Sequence, residues 1–164
     1  MNKISKEQFY LELDRATWHC SFQSSNGETY MGTFVFKALL TPMDTIAIDR
    51  DYRELLGPVS PNLASRDTYN VAFAAANLKH KIAKSPSFWT DGVENSFPGT
   101  QIKGGEDLIG HVMEASYLAE TLYKDGLKKR HEEALKKIQA GLEKIQKDAE
   151  LEEELAEVPE EKKE

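Results

Sequence analysis

Histidine, cysteine and carboxylate side chains are the groups from which a catalytic or metal site is built, and their spacing in this chain favours neither. The four histidines stand in no HExxH or other metal-ligating spacing, and the single cysteine excludes a multi-cysteine zinc site. They are His19, His80, His111 and His131. His19 precedes Cys20 directly, and neighbours on a strand point to opposite faces, so the two make a poor catalytic pair. We therefore predict no metal and no cofactor.

The densest polar run inside the part predicted to fold is Asp49–Glu54, with the sequence DRDYRE. Acids and arginines three and four apart on a helix pair with each other, so the run predicts an ion-pair network that faces solvent or a partner. The competing hypothesis is a small enzyme, which would need one acid held in an apolar pocket for general acid–base work. Its active site would be built from Asp49, Arg50, Arg53 and His80. His80 lies between two lysines and is predicted to face solvent.

Composition and charge exclude several classes of function. No P-loop, GxGxxG, GxSxG or kinase motif occurs. The net charge is −7, and residues 147–164, with nine acids and three lysines, account for −6 of it, whereas a nucleic-acid-coating protein shows an excess of Lys and Arg. No stretch approaches the roughly 18 apolar residues of a membrane span, and the charged start does not resemble a signal peptide. We expect a cytosolic protein with no nucleic-acid or membrane partner.

Local sequence signals predict the elements that position these residues. A capping-box pattern at Ser5–Gln8 predicts a short helix over about 5–15, and Asn26-Gly27 predicts a hairpin between strands at about 17–22 and 28–39. Three helices follow, from Thr41-Pro42 to Gly57, from about 60 to 84, and from Glu106 onward. The predicted fold class is α+β, mostly α: an N-terminal helix and a β-hairpin followed by three helices, the last long and extended.

The same signals predict three segments. Residues 1–123 form a globular α+β domain, residues 124–146 form a charged helical extension, and residues 147–164 form an acidic disordered tail. The apolar residues of the extension are three, four and three positions apart. This spacing is compatible with an exposed charged helix and with a coiled coil formed with a second helix. Those residues are Leu135, Ile138, Leu142 and Ile145.

One long stretch, about residues 30–123, has a familiar order of motifs. GTFVFK at 32–37 leads to LTPMD at 40–44 and DRDYRELLG at 49–57, and an alanine-rich helix and SPSFW at 85–89 follow. This order resembles small proteins from the tail-morphogenesis modules of long-tailed bacteriophages, in particular the tail assembly chaperones. The resemblance implies a non-enzymatic protein of the host cell cytoplasm that binds the tape-measure protein during assembly, keeps it soluble and recruits tail-tube subunits.

A partner-binding surface is expected on the helices and on the aromatic loop, since small-residue helix surfaces can accept a partner helix. The predicted residues are Ile46, Tyr52, Leu56, Ala72, Ala75, Ala76, Phe88 and Trp89. The alternative is that all of them are buried in the hydrophobic core of the chain itself. The alternative function is a structural virion protein, a tail, baseplate or head–tail component, in which the hairpin adds strands to a neighbouring subunit. A homo-oligomer is compatible with either function.

Overall fold

The computed structural model describes residues 4–60, 62–90 and 97–156, with side chains described to residue 151. This part of the chain forms four strands and four helices. In order they are β1 (Phe9–Leu11), β2 (Arg15–Gln23), β3 (Thr29–Lys37), α1 (Pro42–Leu56), α2 (Arg66–Lys81), β4 (Ile82–Lys84), α3 (Ser87–Thr90) and α4 (Glu106–Ala156). The arrangement is a mixed α+β fold with a four-stranded antiparallel sheet.

The sheet has the strand order β1-β2-β3-β4, and the β2–β3 hairpin is its longest ladder. Gly27 has a φ of +87°, which the hairpin turn requires, and the backbone N–H of Glu28 donates to the Asn26 side chain over 2.9 Å. Across the ladder Trp18 stands opposite Phe34. Because side chains alternate along each strand, one face of the sheet collects the aromatic residues of both strands.

The core lies between this aromatic face and helices α2, α3 and α4. Trp18 packs against Phe34 with ring centroids 5.7 Å apart, and Leu108 and Val112 of α4 are fully buried in the same cluster. The first turns of α4 therefore cover the sheet, and their spacing of four residues keeps both apolar side chains on one helix face.

The predicted N-terminal helix over 5–15 is wrong. Ser5 does accept a hydrogen bond from the backbone N–H of Glu7, and its own N–H donates to the side chain of Gln8 over 2.8 Å. This cap closes only a single 3₁₀ turn, after which β1 begins at Phe9. Phe9 stacks on Trp18 at 6.2 Å, so burial of the ring and pairing with β2 outweigh the local helix signal.

The predicted fold class, an N-terminal helix and a lone β-hairpin followed by three helices, is also wrong, because the hairpin is the centre of a four-stranded antiparallel sheet. The second long helix begins at Arg66, after the N-cap Ser65, and ends at Lys81. Residues 82–84, predicted to be helical, form β4 and pair with β3 opposite Val35 and Phe36. Pro86 disfavours helical backbone only at Ser85, so the earlier end of the helix at Lys81 follows from the pairing of residues 82–84 with β3.

Internal contacts divide the chain into two units, residues 1–123 and 124–164. Helix α4 runs to Ala156, ten residues into the segment predicted to be a disordered tail. Nine of these ten residues are Glu, Lys, Leu or Ala, all of which are good helix formers. Residues 157–164 lie outside the described part of the chain.

Candidate partner-binding surface

The three alanines predicted to receive a partner helix are buried inside the fold. Ala72, Ala75 and Ala76 are 6%, 1% and 0% exposed. Helix α2 contacts α1, while its residues Ala74 and Leu78 belong to the core cluster with the sheet and α4. Small side chains let α2 fit between these layers, because each neighbour can approach the backbone closely. The alanines therefore serve packing within the chain.

The predicted face of helix α1 is not one face. Ile46 is 62% exposed, Tyr52 is half-buried and Leu56 is buried. Six residues separate Ile46 from Tyr52, which turns the second side chain about 240° around the helix axis. Tyr52 and Leu56, one turn apart, lie on the buried side of α1.

The aromatic residues Phe88 and Trp89 of the predicted loop belong to the core or pack against it. Trp89 is 2% exposed and meets the ring of Phe34 edge-on at 5.3 Å. Phe88 is half-buried, with its ring 5.4 Å from that of Tyr30. A methyl group at Gly99 would come within 2.6 Å of the Trp89 indole, so the chain after the loop closes over this ring. Residues 91–96 of the predicted loop lie outside the described residues.

An aromatic cluster on the α1–α2 helix pair remains partly open to solvent. It consists of Tyr52, Tyr69 and Phe73, and the last two are 40% and 38% exposed. The rings of Tyr69 and Phe73 are stacked at 6.3 Å, and Tyr52 meets both edge-on at 5.5 and 6.2 Å. Burial raises the pKa of Tyr52, with a smaller contribution from Tyr69 beside it. The cluster offers adjoining aromatic surface at fixed angles, as interface anchors require.

A buried carboxylate next to this cluster ties the two helices together. Asp51 is 1% exposed, and its Oδ2 accepts from the Lys79 ammonium and from Nε2 of His80, each over 2.8 Å. Its Oδ1 accepts from the Arg50 guanidinium over 3.0 Å. We call these four residues the Asp51 network. Lys79 also stands 4.4 Å above the centre of the Phe97 ring, which links the network to the chain that follows the loop.

The electrostatics of the Asp51 network suit a fixed anion better than a catalytic base. Burial by itself raises the pKa of Asp51, but the hydrogen bonds from Lys79, His80 and Arg50 outweigh it and hold that pKa well below its usual range. A carboxylate so stabilised takes up a proton poorly at neutral pH. The prediction that His80 faces solvent is wrong, because its side chain is 17% exposed and bonded to Asp51.

The residues of the enzyme hypothesis fall into separate groups. Asp49 pairs with Arg53 over 3.0 Å on the exposed side of α1, whereas Arg50 and His80 both bond Asp51. His19 bonds Thr33 on the outer sheet face. Among the described residues no three His, Cys, Asp or Glu side chains form a group able to hold a metal ion. Within that same part of the chain no helix is both long and apolar enough to cross a bilayer.

A cavity of about 290 Å³ opens at one end of the sheet. Its charged lining is balanced, with two acids and two bases, and Lys37 is paired with Asp44 over 3.1 Å. Capping hydrogen bonds from Thr41, together with Lys37, lower the pKa of Asp44 to about 2. These groups stabilise the start of α1, and the cavity presents no net charge to a ligand. The lining residues are Asp14, Arg15, Lys37, Leu39, Thr41, Asp44, Ala83 and Tyr123.

Tyr52 is among the partner residues predicted from the sequence, whereas Tyr69, Phe73 and the Asp51 network are not. The i, i+4 spacing of Tyr69 and Phe73 on a predicted helix was the available signal for a shared face. Nothing local indicated that Asp51 and His80, 29 positions apart, would meet. Comparison of the chain with protein-family models, with curated proteins and with solved structures gave no match.

Proposed function

We propose that this protein is a non-enzymatic phage tail assembly chaperone, which binds the tape-measure protein in the host cell cytoplasm and recruits tail-tube subunits. The proposal starts from the order of motifs over residues 30–123. The observation that supports it best is the aromatic cluster, a partly exposed apolar surface on two helices that pack against each other.

The chemistry of the aromatic cluster matches that of a helix-binding surface. A long helical partner presents apolar side chains three and four residues apart, and aromatic rings set on two helices are suitable anchors for them. Tyr69 and Phe73 retain about two-fifths of their surface for such contacts. The Asp51 network holds α1 against α2 beneath them, so the rings are ordered before a partner arrives.

The charge distribution is also consistent with a solubilising role. Residues 1–146 sum to −1, whereas residues 147–164 carry −6. Each copy carries a net negative charge, so complexes of the protein with its client would repel one another, which would keep an aggregation-prone client dispersed. The aromatic cluster and the acidic segment then have different tasks, binding and solubility.

The test is capture of the co-expressed tape-measure protein by wild-type chain and by two single variants. Tyr69→Ala removes a ring of the cluster, and we expect it to lower capture at least tenfold, as for an interface anchor. Met31→Ala removes an apolar side chain that is 70% exposed on the sheet, and it should leave capture within about twofold. Equal melting temperatures would show that both variants fold. Undiminished capture by folded Tyr69→Ala would contradict the assignment of the cluster.

The second candidate, a structural virion protein, is favoured by one feature of the sheet. Strand β1 pairs with β2 only opposite residues 16–18, so no strand of the described chain pairs with the outer edge of His19–Gln23. An open edge can accept a strand from a neighbouring subunit. Quantitative mass spectrometry of infected-cell lysate and purified particles separates the candidates. Many copies per particle would favour the structural protein, and abundance in lysate with absence from particles would favour the chaperone.

A further inference from the structure

Helix α4 carries an apolar stripe beyond residue 123 that is exposed in the single chain. We call the following four side chains the helix stripe: Leu135, Ile138, Leu142 and Ile145, which are 46%, 60%, 56% and 66% exposed. Their spacing of three, four and three residues puts all four on one side of the helix. Isolated helices are only marginally stable in water, so an exposed stripe of this kind gains most by covering itself with a second helix.

The residues that flank the helix stripe permit close approach of a second helix. In the heptad pattern they are Ala134 and Gly141 on one side and Gln139 and Gln146 on the other. None of the four carries a charge, and two are small. The charged residues between 134 and 146 lie farther around the helix, where they stay in water when the stripe is covered; they are Lys136, Lys137, Glu143 and Lys144.

The helix stripe is symmetric about Ala140 when the helix is read in both directions. Leu135 and Ile145 stand five residues on either side of it, and Ile138 and Leu142 stand two residues on either side. Two antiparallel copies centred there would place Leu135 of each copy opposite Ile145 of the other. Ile138 would meet Leu142 in the same way. Such an interface is self-complementary, as a two-fold dimer requires.

The charge distribution of the segment selects the antiparallel orientation. Residues 124–147 contain eight basic and four acidic residues, a net charge of +4, whereas residues 148–156 contain five acids and no base. In an antiparallel pair each acidic end lies beside residues 124–132 of the other copy, which sum to +2. A parallel pair would instead set the two acidic ends side by side, and like charges at close range repel.

We propose that residues 124–156 pair with the same segment of a second copy, forming an antiparallel two-helix coiled coil centred on Ala140. The helix stripe is then covered by the same stripe of a second copy, which matches it in the register of its apolar residues and in its charge. This pairing stands independently of the function proposed above. It doubles whatever binding surface residues 1–123 present, and two linked sites bind a long partner more tightly than one.

The first test is the mass of the full-length chain in solution, measured by sedimentation equilibrium from about 1 to 100 µM. We expect a dimer for the wild type. Ile138→Asp places a charge in the centre of the stripe and should weaken the dimer at least 100-fold. Ala140→Asp introduces the same charged residue on the far side of the helix, where only helix propensity is lost, and it should weaken the dimer by no more than about threefold. A monomeric wild type at 100 µM, a larger assembly, or equal effects of both variants would overturn the proposal.

The second test determines the orientation by disulfide formation. In the antiparallel pair, position 135 lies about 15 Å along the axis from position 135 of the other copy, well beyond the roughly 7 Å limit between bridged Cα atoms. The Leu135→Cys variant alone and the Ile145→Cys variant alone should therefore form no disulfide between copies. A mixture of the two variants should form one between the cysteines at positions 135 and 145. Self-crosslinking of either variant alone would indicate a parallel pair and refute the proposal. The native Cys20 does not interfere, since burial raises its pKa to about 12.

Discussion

Replacing the buried carboxylate of Asp51 by an amide tests whether the Asp51 network holds helix α1 against α2. In Asp51→Asn an amide NH₂ group replaces one of the two carboxylate oxygens. A hydrogen-bond donor then stands where an acceptor is needed, because Lys79 and His80 are donors themselves. Breaking a buried ion pair by removing one partner costs about 3–5 kcal/mol. Here the Arg50 and Lys79 side chains are 71% and 36% exposed and can regain water, so we expect a smaller loss of about 2–4 kcal/mol.

The measurement is urea unfolding at pH 7, followed by the fluorescence of the two buried tryptophans, Trp18 and Trp89. With a slope of about 1.5 kcal/mol per molar urea, a loss of about 3 kcal/mol lowers the midpoint by about 2 M. The matched control is Asp49→Asn, two residues earlier on the same helix. Asp49 pairs with Arg53 where both side chains are mostly exposed, so its loss should cost less than about 1 kcal/mol.

The pH dependence of the unfolding midpoint provides an independent check that the loss of stability comes from the Asp51 carboxylate. The pKa of folded Asp51 lies well below the value of about 3.9 in the unfolded chain. Its contribution to stability is therefore complete above about pH 4 and is lost as the pH falls further. The midpoint difference between wild type and Asp51→Asn should narrow below about pH 4. A loss no larger than that of Asp49→Asn, or a difference that widens below about pH 4, would refute the reasoning.

Three further predictions concern the core. Gly32→Ala should destabilise the fold by about 1–3 kcal/mol, because the added methyl group would lie 2.5 Å from the ring of Pro86; the unfolding midpoint measures this. Trp89→Ala should cost about 3–5 kcal/mol in the same assay, and a smaller loss would mean that the site collapses around the cavity. Burial lowers the pKa of His111, partly offset by Glu114, so wild-type stability should fall below pH 6.5 by at most about 1.4 kcal/mol per unit. His111→Phe should remove that slope, and an unchanged slope would contradict the assignment.

Elements specified by short-range signals were predictable from the sequence. The β2–β3 hairpin follows from Asn26-Gly27, and helix α1 follows from Thr41, whose side chain and the carboxylate of Asp44 cap the first turn reciprocally. Helix α4 begins at Glu106, as expected. Each of these signals acts within a few residues, so neighbouring side chains and backbone groups are sufficient to determine the outcome.

Elements that depend on distant partners were mispredicted. The capping pattern at Ser5 is satisfied by one 3₁₀ turn as well as by a helix, and pairing of β1 with β2 decided between them. Strand β4 is three residues long, and it is specified by the open edge of β3 more than by its own side chains. Such short strands have little intrinsic preference, so the sheet determines their conformation.

The candidate site shows the same division. The sequence by itself determined the charge of the Asp49–Glu54 run, the aromatic residues of α2 and the register of the helix stripe. Only the tertiary structure decided that Asp51 is buried, that His80 joins it, and that the alanines of α2 are packed away while Tyr69 and Phe73 stay partly exposed. The physical reason is that helical periodicity predicts which residues share a face, whereas burial of that face depends on the elements that pack against it.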